Sequence, residues 1–316
     1  MSGAVGQLLA DQRVRAALDF IRDNEPQVIQ LQKELTLLEA PTFHEEQRGR
    51  RVLRLFQEAG LAQAGADDMG NVTGLRLGRL GDRSDTVAIE AHMDTVFPKG
   101  TVNRVLEREG ILYAPGISDN TRGLALLWGV LEALRAGGLQ TKRDILFAAT
   151  VQEEGLGGLS GLRHLLDSHG EVRQCITVDG PDADVVVTGG PGIRTLEVTF
   201  SGAGGHAYKH CGEIGNPAHA AARAAAAMLR LPLPKAPKTT FEVTVLDSGG
   251  MSGVNAIPAS ARMVLNYRSS SMEALLRLDE SIRAAAEAAA ADENASVSEG
   301  TVEVQLRLLT DVPAVS

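Results

Sequence analysis

The chain has 316 residues, of which 44% are hydrophobic and 22% are charged. This composition is that of a globular protein and excludes a disordered chain, and the length favours two domains over a single hydrophobic core. The formal net charge of −9 argues against binding to nucleic acid or to an anionic membrane, since both require a basic surface.

Cysteine usage and hydropathy bear on the compartment. Cys175 and Cys211 are the two cysteines, too few for a disulfide framework, which indicates a reducing cytoplasm. The amino-terminal residues lack a basic stretch followed by an apolar one, so no export signal is predicted. The most apolar helical stretch, GLALLWGVLEAL, is short and interrupted by Glu132, so no membrane span is predicted.

The amino-terminal part of the chain is predicted to be helical. Apolar residues recur at helical spacing over 7–38 with a break near Pro26, which predicts two helices. Thr42, with Glu45 three residues later, has the spacing of a capping box and predicts a third helix that continues through Phe56.

The rest of the chain predicts two kinds of sheet. From Thr86 onward, apolar strands alternate with helices predicted at 123–135 and 158–168, which is typical of a mostly parallel sheet covered by helices on both faces. Near 189–192 the pattern changes to strands that alternate apolar and polar residues. The order that follows is strand, helix, strand, strand, helix, strand. We therefore expect an α/β domain and a second, smaller domain of ferredoxin-like α+β fold.

Four apolar runs in the first domain each end on side chains that bind divalent metals. The runs are TVAIEAHMD, ILYAPGISD, DILFAATVQEE and QCITVD, and they end on His92 with Asp94, on Asp119, on Glu153 with Glu154, and on Asp179. In open α/β sheets, ligands and metals gather outside the carboxyl ends of the strands, where loops from distant parts of the sequence meet. The combination predicts a metalloenzyme.

The first two runs also have structural explanations. His92 and Asp94 are two residues apart on an extended strand end, so one can ligate a metal while the other orients it. Alone, a His-x-Asp pair is more often ordinary surface or loop chemistry. Asp119 precedes a predicted helix, where an N-cap is the ordinary explanation. Its carboxylate has two oxygens, however, and can also bridge two cations about 3.5–4 Å apart.

The last two runs complete the set. Glu153 and Glu154 are adjacent carboxylates after a buried strand, which is costly unless a cation or a proton compensates their charge. Because consecutive side chains diverge, one can ligate a metal while the other acts as general base toward a metal-activated water. Asp179 lies in TVDG, where the alternative is an ordinary aspartate between a strand and a turn.

Two competing motifs are weaker. GLGGLSG resembles a dinucleotide-binding loop, but Ser160 replaces its third glycine and the two preceding glutamates would repel a pyrophosphate. His206 and His210 have the spacing of a helical zinc pair. The glycines of SGAGGHAYKHCG predict a loop instead, in which a catalytic histidine fits better.

Together these motifs resemble the di-zinc aminoacylase and carboxypeptidase metallopeptidases, which include glutamate carboxypeptidase, acetylornithine deacetylase, succinyl-diaminopimelate desuccinylase and peptidase T. The resemblance extends over almost the whole chain. It implies a zinc exopeptidase-like catalytic domain over 1–188, an inserted lid and dimerisation domain over 189–308, and the start of a return to the catalytic domain over 309–316.

The resemblance also implies a role for each residue of the four runs. Asp94 orients the histidine, Asp119 bridges two zinc ions, for which Co2+ or Mn2+ can substitute, and Glu153 is the general base. The implied metal ligands are His92, Asp119, Glu154 and Asp179.

In the lid, the resemblance places His206 as the residue that reaches the partner subunit's active site in a homodimer and stabilises the oxyanion. Asn255 in SGVNAIP and Arg268 in NYRS are implied to lie near the substrate, and the fork of donors on Arg268 suits a carboxylate. The implied partners are a small peptide or N-acyl amino acid and a second copy of the chain, with no nucleic acid and no membrane.

The chain also departs from the family's pattern. The lysine that commonly follows the bridging aspartate by two residues is Thr121 here, and Tyr267 stands where an acidic residue often precedes the arginine. Asp179, where deacylases of the acetylornithine type tend to carry glutamate, favours the peptidase T-like and carboxypeptidase-like branches. These differences leave the metal ligands intact.

A further departure concerns the second metal. The family supplies a last metal-binding histidine after the lid, and in this sequence no histidine follows His219. Asp119 and Glu154 then leave the second metal two protein ligands, so the expectation is about one metal per subunit and little peptidase activity, unless His210 or His219 replaces the lost ligand. The hypotheses are a zinc-dependent amidohydrolase or exopeptidase for substrates with a free carboxylate, or a catalytically impaired homologue that acts as a dimeric binding protein.

Overall fold

The computed structural model describes residues 3–81, 84–102, 104–180 and 184–315, and the chain divides into two compact units, Met1–Asp184 and Val185–Ser316. The helices of the first unit are α1 (Gly3–Ala10), α2 (Gln12–Asp23), α3 (Glu25–Leu37), α4 (Glu46–Glu58), α5 (Thr121–Ala136) and α6 (Ser160–Ser168). Its strands are β1 (Ala62–Ala66), β2 (Val72–Arg76), β3 (Thr86–His92), β4 (Leu106–Arg108), β5 (Ile111–Tyr113), β6 (Ile145–Thr150) and β7 (Val172–Thr177).

The second unit continues the numbering along the chain. Its strands are β8 (Gly192–Ser201), β9 (Gly205–His206), β10 (Thr239–Ser248), β11 (Ala256–Ile257), β12 (Ser260–Ser269) and β13 (Glu303–Val312). Its helices are α7 (Pro217–Met228) and α8 (Met272–Ala295).

The first unit is built on a five-stranded sheet of order β1-β2-β6-β3-β7. β3 pairs in parallel with β6 on one side and with β7 on the other, whereas β2 is antiparallel to both β1 and β6. Within this sheet only β2 runs against the other strands, which confirms the predicted α/β fold. Because β3 lies between β6 and β7, the residues that follow these three strands meet at one edge of the sheet.

Helices cover both faces of this sheet. Phe147 of β6 packs on Phe56 of α4 with ring centroids 6.4 Å apart in an edge-to-face arrangement. Leu146, the preceding residue, points to the opposite face and joins a second apolar cluster with Leu165 of α6, as expected when successive residues of a strand alternate. β6 is therefore packed against helices on both faces of the sheet.

The amino-terminal region forms three helices where two were predicted. Asp11 caps α2 by accepting the backbone amide of Arg13, so the region before Pro26 is divided into two helices at that cap. Pro26 lies in the first turn of α3, where a proline is tolerated because the N–H groups there have no partner within the helix.

The capping box predicted at Thr42 and Glu45 is wrong. α4 begins without a side-chain cap, and the Thr42 hydroxyl instead donates to Asp94 at 2.9 Å. Glu45 accepts the backbone amides of Phe43 and Gln152. Two of these bonds join residues that are far apart in the sequence, which a local pattern does not reveal.

The run that ends at Asp119 is not a strand of the central sheet. Its strand part, β5, pairs with β4 in a separate two-stranded sheet, and a turn then leads to Asp119. Asn120 rather than Asp119 caps α5, by accepting the amide of Gly123 at 3.0 Å. The Asp119 carboxylate is therefore left out of the cap.

The second unit has a four-stranded antiparallel sheet of order β10-β12-β8-β13. Alternate residues of β8, among them Leu196, Val198 and Phe200, are fully buried in a cluster with α7 and α8. With these two helices, the order of elements along the chain is β8, α7, β10, β12, α8, β13. This order confirms the predicted ferredoxin-like arrangement.

A polar network lies within this second core. The hydroxyl of the fully buried Tyr267 donates to Asp279 of α8. Arg283 donates to the same carboxylate at 2.7 Å, and Arg194 of β8 lies 3.3 Å from it. The network fastens α8 to the sheet, and it explains why a tyrosine occupies position 267.

No helix among the residues that the structure describes combines the length and the apolar character needed to cross a bilayer.

Candidate metal centre

His92 lies at the carboxyl end of β3 and is almost fully buried. Its Nε2 is 2.9 Å from Asp119 Oδ1 and 3.9 Å from Asp179 Oδ1, and its Nδ1 is 3.3 Å from Asp94 Oδ1. Both ring nitrogens therefore face carboxylates. A carboxylate on the second nitrogen is the usual means by which proteins fix the ring orientation of a metal-ligating histidine.

Asp94 is fully buried, and its carboxylate joins three segments of the chain. Besides facing His92, it accepts the backbone amides of Glu153 on Oδ1 and of Glu154 on Oδ2, both at 2.9 Å. Thr42 donates to Oδ2. Burial alone would raise the pKa of Asp94, but His92 and the two amides hold it below its usual range. Asp94 therefore stays ionised and orients both the histidine and the glutamate pair.

Glu153 and Glu154 follow β6 in a turn whose first residue, Gln152, has a φ of 56°. Burial raises the pKa of Glu153 to about 7, against the opposing charge of His92, and the charge of Glu154 adds to the rise. The pKa of Glu154 is also raised, mainly by burial. A carboxylate that titrates near neutral pH is matched to general-base chemistry.

Asp119 and Asp179 approach the same ring nitrogen from two loops, one before α5 and one after β7. Gly123 permits this arrangement because a Cβ there would lie 2.1 Å from Asn120 Oδ1 and 2.4 Å from the Val178 carbonyl oxygen. The start of α5 thus packs directly against the residue before Asp179. This packing brings the two aspartates together.

Two groups of side chains have the geometry to hold a divalent cation. Ligand atoms of His92, Asp119 and Asp179 lie within 4.8 Å of one another, and so do those of His92, Glu153 and Glu154. The pKa of His92 shows how strongly the cluster favours positive charge: burial alone would lower it, yet the hydrogen bonds to two aspartates raise it to about 11. Imidazole and carboxylate are donors that zinc accepts, so the residues present fit such a cation.

The residues predicted in the lid lie in the second unit. His206 of β9 pairs with Ala256 of β11, and the Asn255 carbonyl accepts the amide of Ala207 at 2.9 Å. The structure thus places His206 and Asn255 on neighbouring segments. His206 is exposed, and its Nδ1 accepts the amide of Tyr208 at 3.2 Å.

The segment after His206 is a series of turns rather than a helix, so His206 and His210 are not a helical zinc pair. Arg268 lies on β12 and is exposed, and its Nε donates to Asn266 at 3.0 Å. Its neighbour Tyr267 points to the buried face, as alternation along a strand requires.

Two glycines of GLGGLSG, Gly157 and Gly161, permit close packing. A Cβ at Gly161 would lie 2.1 Å from the Val151 carbonyl oxygen, so α6 packs directly on the end of β6. This contact holds the base of the turn that carries Glu153 and Glu154. Close packing therefore accounts for Gly161, and a dinucleotide-binding loop is not needed to explain it.

Three residues that support the site were not predicted, namely Thr42, Glu45 and Arg48. Arg48 of α4 is almost fully buried, and its guanidinium donates to the carbonyl of Met93 and to two carbonyls at the end of α3. In the sequence, the spacing of Thr42 and Glu45 could have indicated their role at the site, but the same spacing is also that of a capping box. An isolated arginine in an amphipathic helix gives no signal.

The chain is similar in sequence and in structure to known proteins. Residues 88–313 match the protein family described as Peptidase family M20/M25/M40. The chain is 28% identical over 277 residues to carboxypeptidase G2 from Pseudomonas sp. (strain RS-16), which covers 83% of this chain and 65% of that protein. It is 29% identical over 217 residues to succinyl-diaminopimelate desuccinylase from Burkholderia vietnamiensis, which covers 63% of this chain and 56% of that protein.

A solved structure shows the same fold. The dipeptidase Dug1p from Saccharomyces cerevisiae is similar with a TM-score of 0.72 at 13% identity, over 96% of this chain and 81% of that one. The two proteins therefore share a fold. Since the family match covers most of its length, the chain belongs to peptidase family M20/M25/M40. It spans less than two thirds of the length of the two curated relatives.

Proposed function

We propose that this protein is a divalent-metal-dependent hydrolase that cleaves an amide bond in a small peptide or an N-acyl amino acid. The observation that carries the proposal is the cluster around His92, where one imidazole meets carboxylates from three strand ends and one loop. The curated relatives are named as a carboxypeptidase and a desuccinylase, which favours hydrolysis over a purely binding role.

Zinc is the proposed metal. His92, Asp119 and Asp179 form one site of three ligands, the number that catalytic zinc sites use. Asp119 and Glu154 would provide only two protein ligands for a second ion, fewer than zinc usually requires. When bound, such ions lower the pKa of water to about 7 and polarise the scissile carbonyl.

The chain's own residues supply orientation and proton transfer. Glu153, adjacent to the proposed ligand Glu154, takes a proton from the attacking water and returns it to the leaving amine. Asp94 orients His92 and holds the amides of Glu153 and Glu154. The base and the ligands are therefore in place before the substrate arrives, which lowers the entropic cost of reaction.

For residues 189–308 we propose the role of a lid and dimerisation domain, on the strength of the ferredoxin-like fold and the family resemblance, with 1–188 forming the catalytic part. His206 then stabilises the tetrahedral oxyanion in the partner subunit's active site. Asn255 and Arg268 bind the substrate, and the guanidinium of Arg268 binds the carboxylate of the substrate. The exposure of His206 and Arg268 accords with these roles. Two free cysteines accord with a cytoplasmic location.

The test is a hydrolysis screen of the purified chain with added zinc, cobalt or manganese. The substrates are dipeptides, tripeptides and N-acyl amino acids with a free carboxylate, and Glu153→Gln is the control for contaminating peptidases. Turnover that depends on added metal and is lost in the control supports the proposal. Substrates left intact under all three metals would contradict it.

A further inference from the structure

The Glu45 carboxylate is buried beside the turn that carries the glutamate pair. Glu45 is 5% exposed, and its Oε1 accepts the backbone amide of Gln152 at 3.1 Å and that of Phe43 at 3.0 Å. Burying a further carboxylate close to an acidic cluster opposes folding unless hydrogen bonds compensate. The bond to Gln152 crosses more than a hundred residues of sequence, so it serves something other than the local helix start.

Three consecutive amides of the turn are held by carboxylates. Gln152 donates to Glu45, and the next two residues, Glu153 and Glu154, donate to Asp94. The φ of Gln152 is 56°, a left-handed conformation that costs energy for a residue with a side chain and persists only where its surroundings impose it. The bond from Glu45 is one of those constraints.

The other end of this contact is rigid as well. The segment before α4 pairs with the extension of β3: Thr95 donates to the Ala40 carbonyl at 3.0 Å, and Thr42 donates from its backbone amide to the Thr95 carbonyl at 3.3 Å. Pro41 and Thr95 form a parallel bridge. Glu45 therefore links a segment fixed to the end of β3 with the turn at the end of β6.

We propose that Glu45 is a positioning residue: by holding the Gln152 amide, its carboxylate oxygen sets the direction in which Glu153 and Glu154 leave the end of β6. The role needs an acceptor at the position of Oε1 rather than a negative charge. Glu45→Gln keeps an oxygen at that reach, Glu45→Asp keeps the charge but retracts it by one methylene, and Glu45→Leu removes the acceptor.

The first measurement is hydrogen exchange of a peptide covering residues 151–157 in the metal-free protein. Exchange should be faster by at least about tenfold in Glu45→Leu and Glu45→Asp, because the opening of this turn becomes easier, and close to wild type in Glu45→Gln. Glu293→Leu is the matched control: Glu293 is 3% exposed and accepts the amide of Asn216 at 3.0 Å in the second unit. Its loss should leave this peptide unchanged.

The second measurement is zinc affinity by competition with a chromogenic chelator, and it rests on the proposed function. Residues that orient metal ligands typically contribute about 10–100-fold to metal affinity, so Glu45→Leu and Glu45→Asp should weaken zinc binding by that factor. Glu45→Gln and Glu293→Leu should not.

The outcomes separate the two proposals. If the wild-type chain binds no zinc, the proposed function fails, and hydrogen exchange alone decides the role of Glu45. If it binds zinc and a folded Glu45→Asp matches wild type in both measurements, the positioning role is wrong. If Glu45→Gln is as damaging as Glu45→Asp, the positioning role is also wrong, because an oxygen acceptor at the correct reach would then not be sufficient. Should Glu45→Leu fail to fold by circular dichroism, the Asp and Gln variants still provide the contrast.

Discussion

The guanidinium of Arg48 donates a hydrogen bond to the backbone carbonyl of Met93, the residue that separates His92 from Asp94. The same group donates to two carbonyls at the end of α3, at 3.1 and 3.0 Å. Burial lowers the pKa of Arg48 to about 10, so it remains charged at neutral pH. The buried guanidinium of Arg48 in α4 thus stabilises the end of β3, where His92 lies.

Arg48→Met should destabilise the first unit by about 2–4 kcal/mol, because it leaves buried carbonyls without donors. Urea unfolding followed by the fluorescence of Trp128 measures this, since Trp128 is the single tryptophan and belongs to α5. Arg50→Met, an exposed change on the same helix, is the control and should stay within about 0.5 kcal/mol of wild type. Equal midpoints for the two variants would contradict a structural role for Arg48.

In a form of the protein that shows turnover, Glu153→Gln should abolish this turnover and leave the metal content nearly unchanged. The amide cannot accept a proton from water, whereas the backbone bond from residue 153 to Asp94 does not involve the side chain. Elemental analysis beside a hydrolysis assay measures both quantities. Glu154→Gln is the comparison and should lose metal. A metal-depleted Glu153→Gln would place Glu153 among the ligands.

Zinc should stabilise the first unit in the wild-type protein. A ligand that binds only the folded state adds about 2.7 kcal/mol at one hundred times its dissociation constant. Thermal unfolding followed by Trp128 fluorescence, with zinc and with a chelator, should show a higher midpoint with zinc. His92→Ala should remove the difference, and His164→Ala, on α6, should retain it. A zinc effect that survives in His92→Ala would place the site elsewhere.

Asp279 should make the second unit sensitive to acid. Burial alone would raise the pKa of its carboxyl, but Arg283 and Tyr267 hold it below the usual range. The folded pKa is therefore below the unfolded value of about 3.9, so the stabilisation is present above about pH 4 and is lost as the pH falls through the folded pKa.

Asp279→Asn should accordingly be less stable than wild type at neutral pH, and its stability should fall less on acidification. Calorimetry of the whole chain over the range below about pH 5 measures this. Asp292→Asn, an exposed change on α8, is the control. If the stability of wild type and of Asp279→Asn falls equally with pH, protonation of Asp279 is not linked to unfolding.

His206→Ala should reduce turnover by about 10²–10³-fold without loss of metal, as expected for one oxyanion donor. The proposed dimer is tested on the same samples by analytical ultracentrifugation at micromolar concentration. His210→Ala is the comparison, since His210 accepts the backbone amide of His206 through Nδ1 and lies in the same segment of turns. Either a monomeric protein or wild-type turnover in His206→Ala would rule out the trans-acting role.

The fold and the cluster could be predicted because their signals are local and repeated. Apolar runs that end in acidic residues place His92 and Asp179 at strand ends, and parallel strands bring such ends together. The residues that steady the cluster could not be predicted, because their partners are distant: Thr42 and Asp94 are 52 residues apart, and Glu45 and Gln152 are 107 apart. A capping-box spacing carries no information about such partners.

The position of Asp119 likewise could not be predicted fully from the sequence. Its apolar residues resemble a strand, but they pair in a small separate sheet, and the choice between an edge of the main sheet and a hairpin depends on tertiary contacts. Asn120, which caps α5, stands next to Asp119 and has the same capping propensity. Sequence alone does not say which of two adjacent residues provides the cap.

The convergence of hydrogen bonds on Asp94 has a consequence for mutational tolerance. One carboxylate accepts from Thr42, Glu153 and Glu154 and faces His92, so any change in its length moves four partners at once. Substitutions at these positions should therefore be strongly non-additive, with interaction energies of about 0.5–3 kcal/mol, as is typical of residues in one network. A single substitution at position 94 should therefore be poorly tolerated. In laboratory evolution of this site, substitutions in the loops should be accepted before a substitution of Asp94.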